Sequence, residues 1–362
     1  MKIVFASYVC SPEFNQPAEW LSRLKGYIGI LEWLSKTNKV ISIEQINYEG
    51  HYQLNGVAYH FMNFGRKKNF FPLQQHRYVK SLAPDVVFIH GLHFPLQVIQ
   101  LRLRLGKRVK IIAQHHAEKP GSGLRKYLQQ MASRCIDAYL FTAQEMGMEW
   151  VRKGNIIDKN KIREVMEASS VFSPMDRNLA QSETGVKGDL IFLWVGRLDD
   201  NKDPLTVLRA FLQFVRHYRD AKLYMIYHTS ELLSAIKELI QGEDSVILVG
   251  QVPHEQMQYW FNSADFIISG SHYEGSGVAV CEAMSCGCIP ILTNILSFQK
   301  LTANGQCGLL YEPGNEPALL SMLLEAMMLN RPDTRNKTLA QFQAQLSFEA
   351  ISTHIQEVIA SL

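Results

Sequence analysis

Short apolar runs alternate with helical patterns along this chain, and they do so in two successive series. In the first half the runs fall at 3–7 (IVFAS), 40–46 (VISIEQI), 57–62 (VAYHFM), 86–90 (VVFIH), 109–113 (VKIIA) and 138–142 (AYLFT), with helical patterns such as 18–35 and 122–134 between them. In the second half the runs fall at 190–195, 222–227, 246–250, 265–268, 289–292 and 308–311. Helical patterns separate these near 204–218, 230–241, 254–263, 278–286 and 316–329. A strand that is apolar throughout must be covered on both faces, so the alternation predicts α/β architecture with parallel, doubly wound sheets. At 362 residues the chain exceeds one such domain and suits two of about 170. The expected join is 169–189, SSVFSPMDRNLAQSETGVKGD, which is polar, holds Pro and Gly, and lacks clear periodicity. The expected division is a first domain over 1–172, a second over 173–340, and a closing helix over 341–362.

The opening MKIVFASYVC reads as a buried strand rather than a secretory leader, and no apolar run reaches the ~18–20 residues of a membrane span. The six cysteines (Cys10, Cys135, Cys281, Cys286, Cys288, Cys307) follow no zinc spacing and read as small reduced core residues, which gives a cytoplasmic expectation. Net charge is only +3, but residues 1–172 carry 24 Lys and Arg against 13 Asp and Glu, and the remainder 13 against 21. Basic clusters stand at 65–71 (GRKKNFF) and 101–110 (LRLRLGKRVK). Such a face is either simply solvated or drawn to anionic lipid headgroups, with peripheral placement at the inner face of the cell membrane. No nucleic-acid-binding motif accompanies the charge, so nucleic acid is not expected as a partner.

Two segments carry chemistry. Glu274-Gly-Ser-Gly-Val-Ala-Val-Cys-Glu282 places two carboxylates around a Gly-rich turn and the opening of a helix. Backbone N–H groups at Ser276, Gly277 and Val278 would lie at the positive end of the helix dipole, where a phosphate sits. Glu274 precedes the helix and Glu282 points from its second turn, so each can accept hydrogen bonds from hydroxyls at one end of a bound molecule. A sugar, a phosphate and a second sugar in a row describe a nucleotide-sugar. In the other segment, LIFLWVGRLDDNKDPLTVLRAFLQF (190–214), an apolar run leads into a loop with Arg197 and Lys202, and a helix opens near Asp203-Pro204. Taken singly these are ordinary loop cations. Together, at the carboxyl end of a strand, they suit a departing diphosphate.

GRLDDNKDPLTVLRAF and EGSGVAVCEAMSCGCIPI resemble the two signature segments of glycosyltransferase family 4, retaining nucleotide-sugar transferases of the GT-B fold. The resemblance covers roughly 187–330, and KIVFAS, PDVVFIHGLH, RVKIIAQHHA and IDAYLFTAQEM keep the family's order before it. It implies two Rossmann-like domains facing each other across a cleft, with the last helix crossing back to the first domain. It implies that Arg197 and Lys202 contact the donor diphosphate, Glu274 the transferred sugar and Glu282 the ribose. Gly275, Ser276, Gly277 and Val278 would complete the phosphate cradle, and Gln251 and Val252 would lie by the base. His116, after the strand IIAQH, matches a family position near the donor sugar, and His90 a second recurrent one. His93 and His115 join them as acceptor-side candidates.

The catalytic set so expected is Glu274, His116, Arg197 and Lys202. Four histidines also raise a metal site, but no carboxylate stands at ligand spacing, and neither metal nor cofactor is expected. The chain departs from the family after its first strand, where SYVCSPEFNQPAEWLSRLKGYIG has Gly only at 26 and 29. Ser276 replaces the usual Phe, and EASSVF replaces Asn-Gly-Val-Asp. The expected partners are a nucleotide-sugar donor and a saccharide or lipid-linked acceptor. Other readings are a sugar-nucleotide epimerase, a phosphorylase and a non-catalytic nucleotide-sugar-binding scaffold.

Overall fold

The computed structural model describes residues 1–64 and 71–362, so most of the basic cluster at 65–71 lies outside the described residues. The chain forms two compact units. One holds Met1–Ser169 with Phe348–Leu362, and the other holds Ser170–Ser347.

The first unit is built on the strands β1 (Lys2–Ala6), β2 (Lys39–Glu44), β3 (Gly50–Leu54), β4 (Val57–Phe61), β5 (Val86–His90), β6 (Lys110–Gln114), β7 (Ala138–Phe141) and β8 (Ile162–Glu164). They lie in the order β3-β4-β2-β1-β5-β6-β7-β8, parallel except for the antiparallel β3–β4 pair. The sequence pattern had not marked β3. Its signal was Asn55-Gly56, whose φ values of +48° and +86° make a two-residue hairpin turn that reverses the chain between Leu54 and Val57.

The helical pattern 18–35 forms two helices, Pro17–Arg23 and Lys25–Ser35, broken at Leu24. Gly26 and Gly29 are packing points on the second of them. A Cβ on Gly26 would lie 2.9 Å from the carbonyl oxygen of Ser169, and one on Gly29 2.6 Å from the ring of Phe348. The C-terminal helix Phe348–Ala360 thus packs on helix Lys25–Ser35 through a contact that only glycine permits. The closing helix expected over 341–362 is interrupted near its start, since Arg331–Gln341 passes through a π-helical turn at Phe342–Leu346 before Phe348 begins the last helix.

The second unit has β9 (Leu190–Val195), β10 (Ala221–Ile226), β11 (Val246–Gly250), β12 (Phe266–Ser269), β13 (Ile289–Thr293) and β14 (Leu309–Tyr311), all parallel, in the order β11-β10-β9-β12-β13-β14. Its core is aromatic, with Phe192, Phe211, Phe214 and Phe266 fully buried, each contributing about 1.5–3 kcal/mol by burial. The stretch 169–189 is not wholly irregular. It contains a helix, Arg177–Thr184, capped by Asp176 and ended by Gly185 at φ +68°. Both capping signals stood in the sequence, but a helix that buries only Ala180 shows no apolar period. Four cysteines, Cys281, Cys286, Cys288 and Cys307, are buried, and burial pushes the Cys286 and Cys307 thiols up to about 12. Cys10 and Cys135 are only half-buried, and the six are free thiols.

Candidate active site

In the second unit the strand order reverses between β9 and β12. Consecutive strands step outward from there in opposite directions, and the loops leaving the two carboxyl ends part to leave a crevice. The loop after β9 holds Arg197 and Lys202, and the loop after β12 holds Glu274. The ammonium of Lys202 pairs with Glu274 Oε1, which also accepts from Ser271 Oγ at 2.7 Å. Arg197, 55% exposed at its side chain, pairs with Asp199 Oδ2 at 3.0 Å.

The two loops are stitched together. His272 N donates to Asn201 O at 2.8 Å, Asn201 Nδ2 donates to Tyr273 O at 3.1 Å, and His272 Nε2 lies 3.2 Å from Asp203 Oδ2. A side chain at Gly270 would meet the carbonyl of Asp203 at 2.8 Å, so this junction requires glycine. Asp203, at φ +43°, caps the helix Pro204–Phe214 through Thr206 N.

Glu274 leads into helix Val278–Ser285, whose N-cap is Gly277 at φ +65°. A Cβ there would fall 2.8 Å from the Phe298 ring. As at every helix start, the first N–H groups have no intrahelical acceptor, and they offer an anion site. Ser276 is buried, Gly275 is buried beside it, and Val278 is 41% exposed. Glu282, in the second turn, is buried and meets His254 Nε2 at 2.6 Å through Oε1. His254 follows exposed Gln251 and half-buried Val252, and its ring lies 5.1 Å from that of Phe172. Sequence reasoning stopped short of His254. Its place in QVPHEQ, just past the expected base position, was the available signal.

In the first unit the strand ends of β5 and β6 bring His90 and His116 together, with His90 Nδ1 3.1 Å from His116 Nε2. Tyr27 Oη lies 2.7 Å from His90 Nε2, and Glu167 Oε2 meets His116 Nδ1. Glu118 fixes the backbone below them, accepting from His116 N at 2.6 Å and Leu92 N at 2.8 Å. Burial, helped by the neighbouring His116, pushes His90 down to about 3 and keeps it neutral. For His116 burial opposes the charged form, but the hydrogen bond and charge of Glu167, with Glu118 behind it, outweigh burial and raise its pKa.

His115 does not join this set. Just past the end of β6 its ring turns inward, 1% exposed, onto the Phe141 ring at 4.6 Å, and a core residue cannot touch an acceptor. His93 is exposed and pairs with Arg125. The chain after β1, where glycines were expected, is tied down instead. Gln45 Nε2 and Gln75 Nε2 both donate to Ser7 O, at 2.6 and 2.8 Å, and Tyr8 Oη meets His76 Nε2 at 2.9 Å.

Residues 176–342 match the family described as glycosyl transferases group 1. The second unit carries a glycosyltransferase domain. The curated relatives include O-antigen chain mannosyltransferase B of Escherichia coli, 26% identical over 37% of this chain and 36% of the relative. They also include the N-acetylgalactosamine-N,N'-diacetylbacillosaminyl-diphospho-undecaprenol 4-alpha-N-acetylgalactosaminyltransferase of Campylobacter jejuni, 24% identical over 71% of each chain. The aligned part of such relatives thus runs from about a third to about seven tenths of their length. Among solved structures, HepE of Anabaena in complex with UDP superposes with a TM-score of 0.74 and 14% identity, over 100% of both chains. Around the glycosyltransferase domain the whole chain therefore has the two-domain, Rossmann-like fold of GT-B glycosyltransferases.

Proposed function

We propose that this chain is a retaining, metal-independent glycosyltransferase of family 4 that moves a sugar from a nucleotide-sugar to a hydroxyl acceptor in cell-surface polysaccharide or glycolipid synthesis. The observation that carries this reading is the Lys202–Glu274 pair beside the Gly277-capped helix, at the switch point of a glycosyltransferase domain.

In this reading the donor diphosphate lies against Arg197, Lys202 and the N–H groups at Gly277 and Val278. As the bond from anomeric carbon to diphosphate oxygen breaks, these donors meet the charge that develops on that oxygen. Cations of the chain supply what a bound metal supplies elsewhere. Glu274 orients the sugar, and Glu282 takes ribose hydroxyls beside a base at Gln251 and Val252. The acceptor hydroxyl attacks from the face the diphosphate leaves, and its proton passes to the departing phosphate. His116, backed by His90, serves the sugar side, with exposed His93 a further acceptor-side candidate.

The name of the Campylobacter relative includes a diphospho-undecaprenol-linked sugar, which supports a lipid-linked acceptor here. The excess of cations in residues 1–172 suits a cytoplasmic protein held at anionic lipid, each cation near the surface contributing about 1 kcal/mol. Among the described residues no helix is long and apolar enough to cross a membrane. Salt-sensitive flotation with anionic vesicles is the expected result for that part. A thermal-shift screen of UDP-, GDP-, ADP- and dTDP-sugars without metal tests the central reading. The expected result is stabilisation by one donor, about 2.7 kcal/mol at a hundredfold excess over Kd, falling to about 0.4–1.4 kcal/mol in Glu282→Ala at the same concentration. No response to any donor overturns it.

A further inference from the structure

His116 is an exposed inner member of a hydrogen-bonded series of four side chains, Glu167–His116–His90–Tyr27, and two of its members have no part in the chemistry proposed so far. The His116 side chain is 38% exposed, whereas that of Glu167 is 10% exposed, so the carboxylate lies behind the ring rather than in front of it. A carboxylate accepts and does not donate, so the proton between Glu167 and His116 sits on Nδ1. That leaves Nε2 as the ring nitrogen whose partner can change. Its partner is His90 Nδ1, and His90 is held from its other side by Tyr27. The backbone of His116 is clamped by Glu118, so the ring cannot drift with its strand end.

We infer that Glu167 is a positioning residue for His116, tethering the ring by Nδ1 so that Nε2 faces the ligand. His90, braced by Tyr27, holds Nε2 until a substrate hydroxyl replaces it. This deepens the sugar-side role proposed for His116 and rests on that reading only for its kinetic consequence. The ionisable groups facing the His116 ring are Glu167, Glu118, His90 and His115. The two carboxylates favour its charged form, and burial opposes it. Glu167 makes the direct contact, and removing its charge leaves burial dominant.

The test is an NMR titration of the imidazole Cε1–H signals in the full chain, with the His116 signal assigned by its loss in His116→Gln. The expected wild-type midpoint lies above the ordinary imidazole value. Glu167→Gln should lower it by about 1 pH unit or more, while Glu167→Asp keeps most of the elevation. On the selected donor, Glu167→Gln should lower kcat at least tenfold and move the acidic limb of the pH–rate profile, with donor-induced thermal stabilisation unchanged. A midpoint unmoved in Glu167→Gln overturns the tether. A moved midpoint with an unchanged pH–rate profile overturns the positioning role. If the wild type transfers no sugar, the transferase reading fails on its own, and the titration still decides whether Glu167 holds His116.

Discussion

The ammonium of Lys202 rests on the carboxylate of Glu274, 72 positions further along the chain. The pair neutralises two charges that a ligand would otherwise have to desolvate separately. It also joins the diphosphate side of the proposed donor site to its sugar side. Lys202→Ala should therefore remove a cation from the leaving group and leave Glu274 without its partner. The expected loss in kcat/KM is about 100-fold, the scale seen when one transition-state charge contact is deleted. Steady-state transfer rates check this, and a near-wild-type rate would remove Lys202 from the mechanism.

Glu282 and His254 make a second separable prediction. A carboxylate that accepts from ribose hydroxyls contributes about 1.5–3 kcal/mol, so Glu282→Ala should weaken donor binding roughly 10- to 100-fold. His254→Ala should leave the carboxylate in place and change affinity far less. Calorimetric titration with the intact donor distinguishes the two. Equal losses in both variants would mean that the hydrogen-bonded His254–Glu282 pair, rather than Glu282 alone, makes the contact.

Gly277 is constrained twice, by a left-handed backbone and by the Phe298 ring. Gly277→Ala should destabilise the fold by about 1–2 kcal/mol from the backbone alone, with the ring contact adding to it. Urea denaturation of the variant is the check, and an unchanged midpoint would show that the turn relaxes freely.

Acid should weaken the first unit through histidines it keeps neutral. Burial lowers His76 to about 4 and His90 to about 3, the latter helped by His116. Below their unfolded value of about 6.5 the unfolded chain binds protons that the folded chain refuses, so stability falls as pH drops from there toward 3–4. Glu44, raised by burial, acts in the opposite sense, because its folded form holds a proton more readily. Denaturation at pH 7 and pH 5 should show the loss, and His76→Gln should flatten it. A stability that rises on acidification over this window would refute the assignment.

How much was legible beforehand depended on whether a feature is local. Parallel sheets followed from apolar runs and helical periods, and helix Val278–Ser285 opened at the position read because Gly277 is a local backbone signal. The helix Arg177–Thr184 escaped because it buries one residue, and β3 because its alternation is too exposed to show. In the sequence Gly26 and Gly29 are only the glycines in the stretch after the first strand, and the packed structure revealed that they make room for Ser169 and Phe348.

The sequence by itself determined the elements and the residue types gathered at the strand ends, since propensity, capping and apolar period act over a few neighbours. Tertiary structure decided which of those residues meet. Strand order placed the loops of Arg197, Lys202 and Glu274 on one crevice, and the chain leaving β6 packed His115 into the core while leaving His116 exposed. It also brought Glu167 to His116 across 51 positions and Glu282 to His254 across 28. Side-chain partnership at such separations carries no period or spacing in a single chain, because it is set by the packing of whole strands and helices.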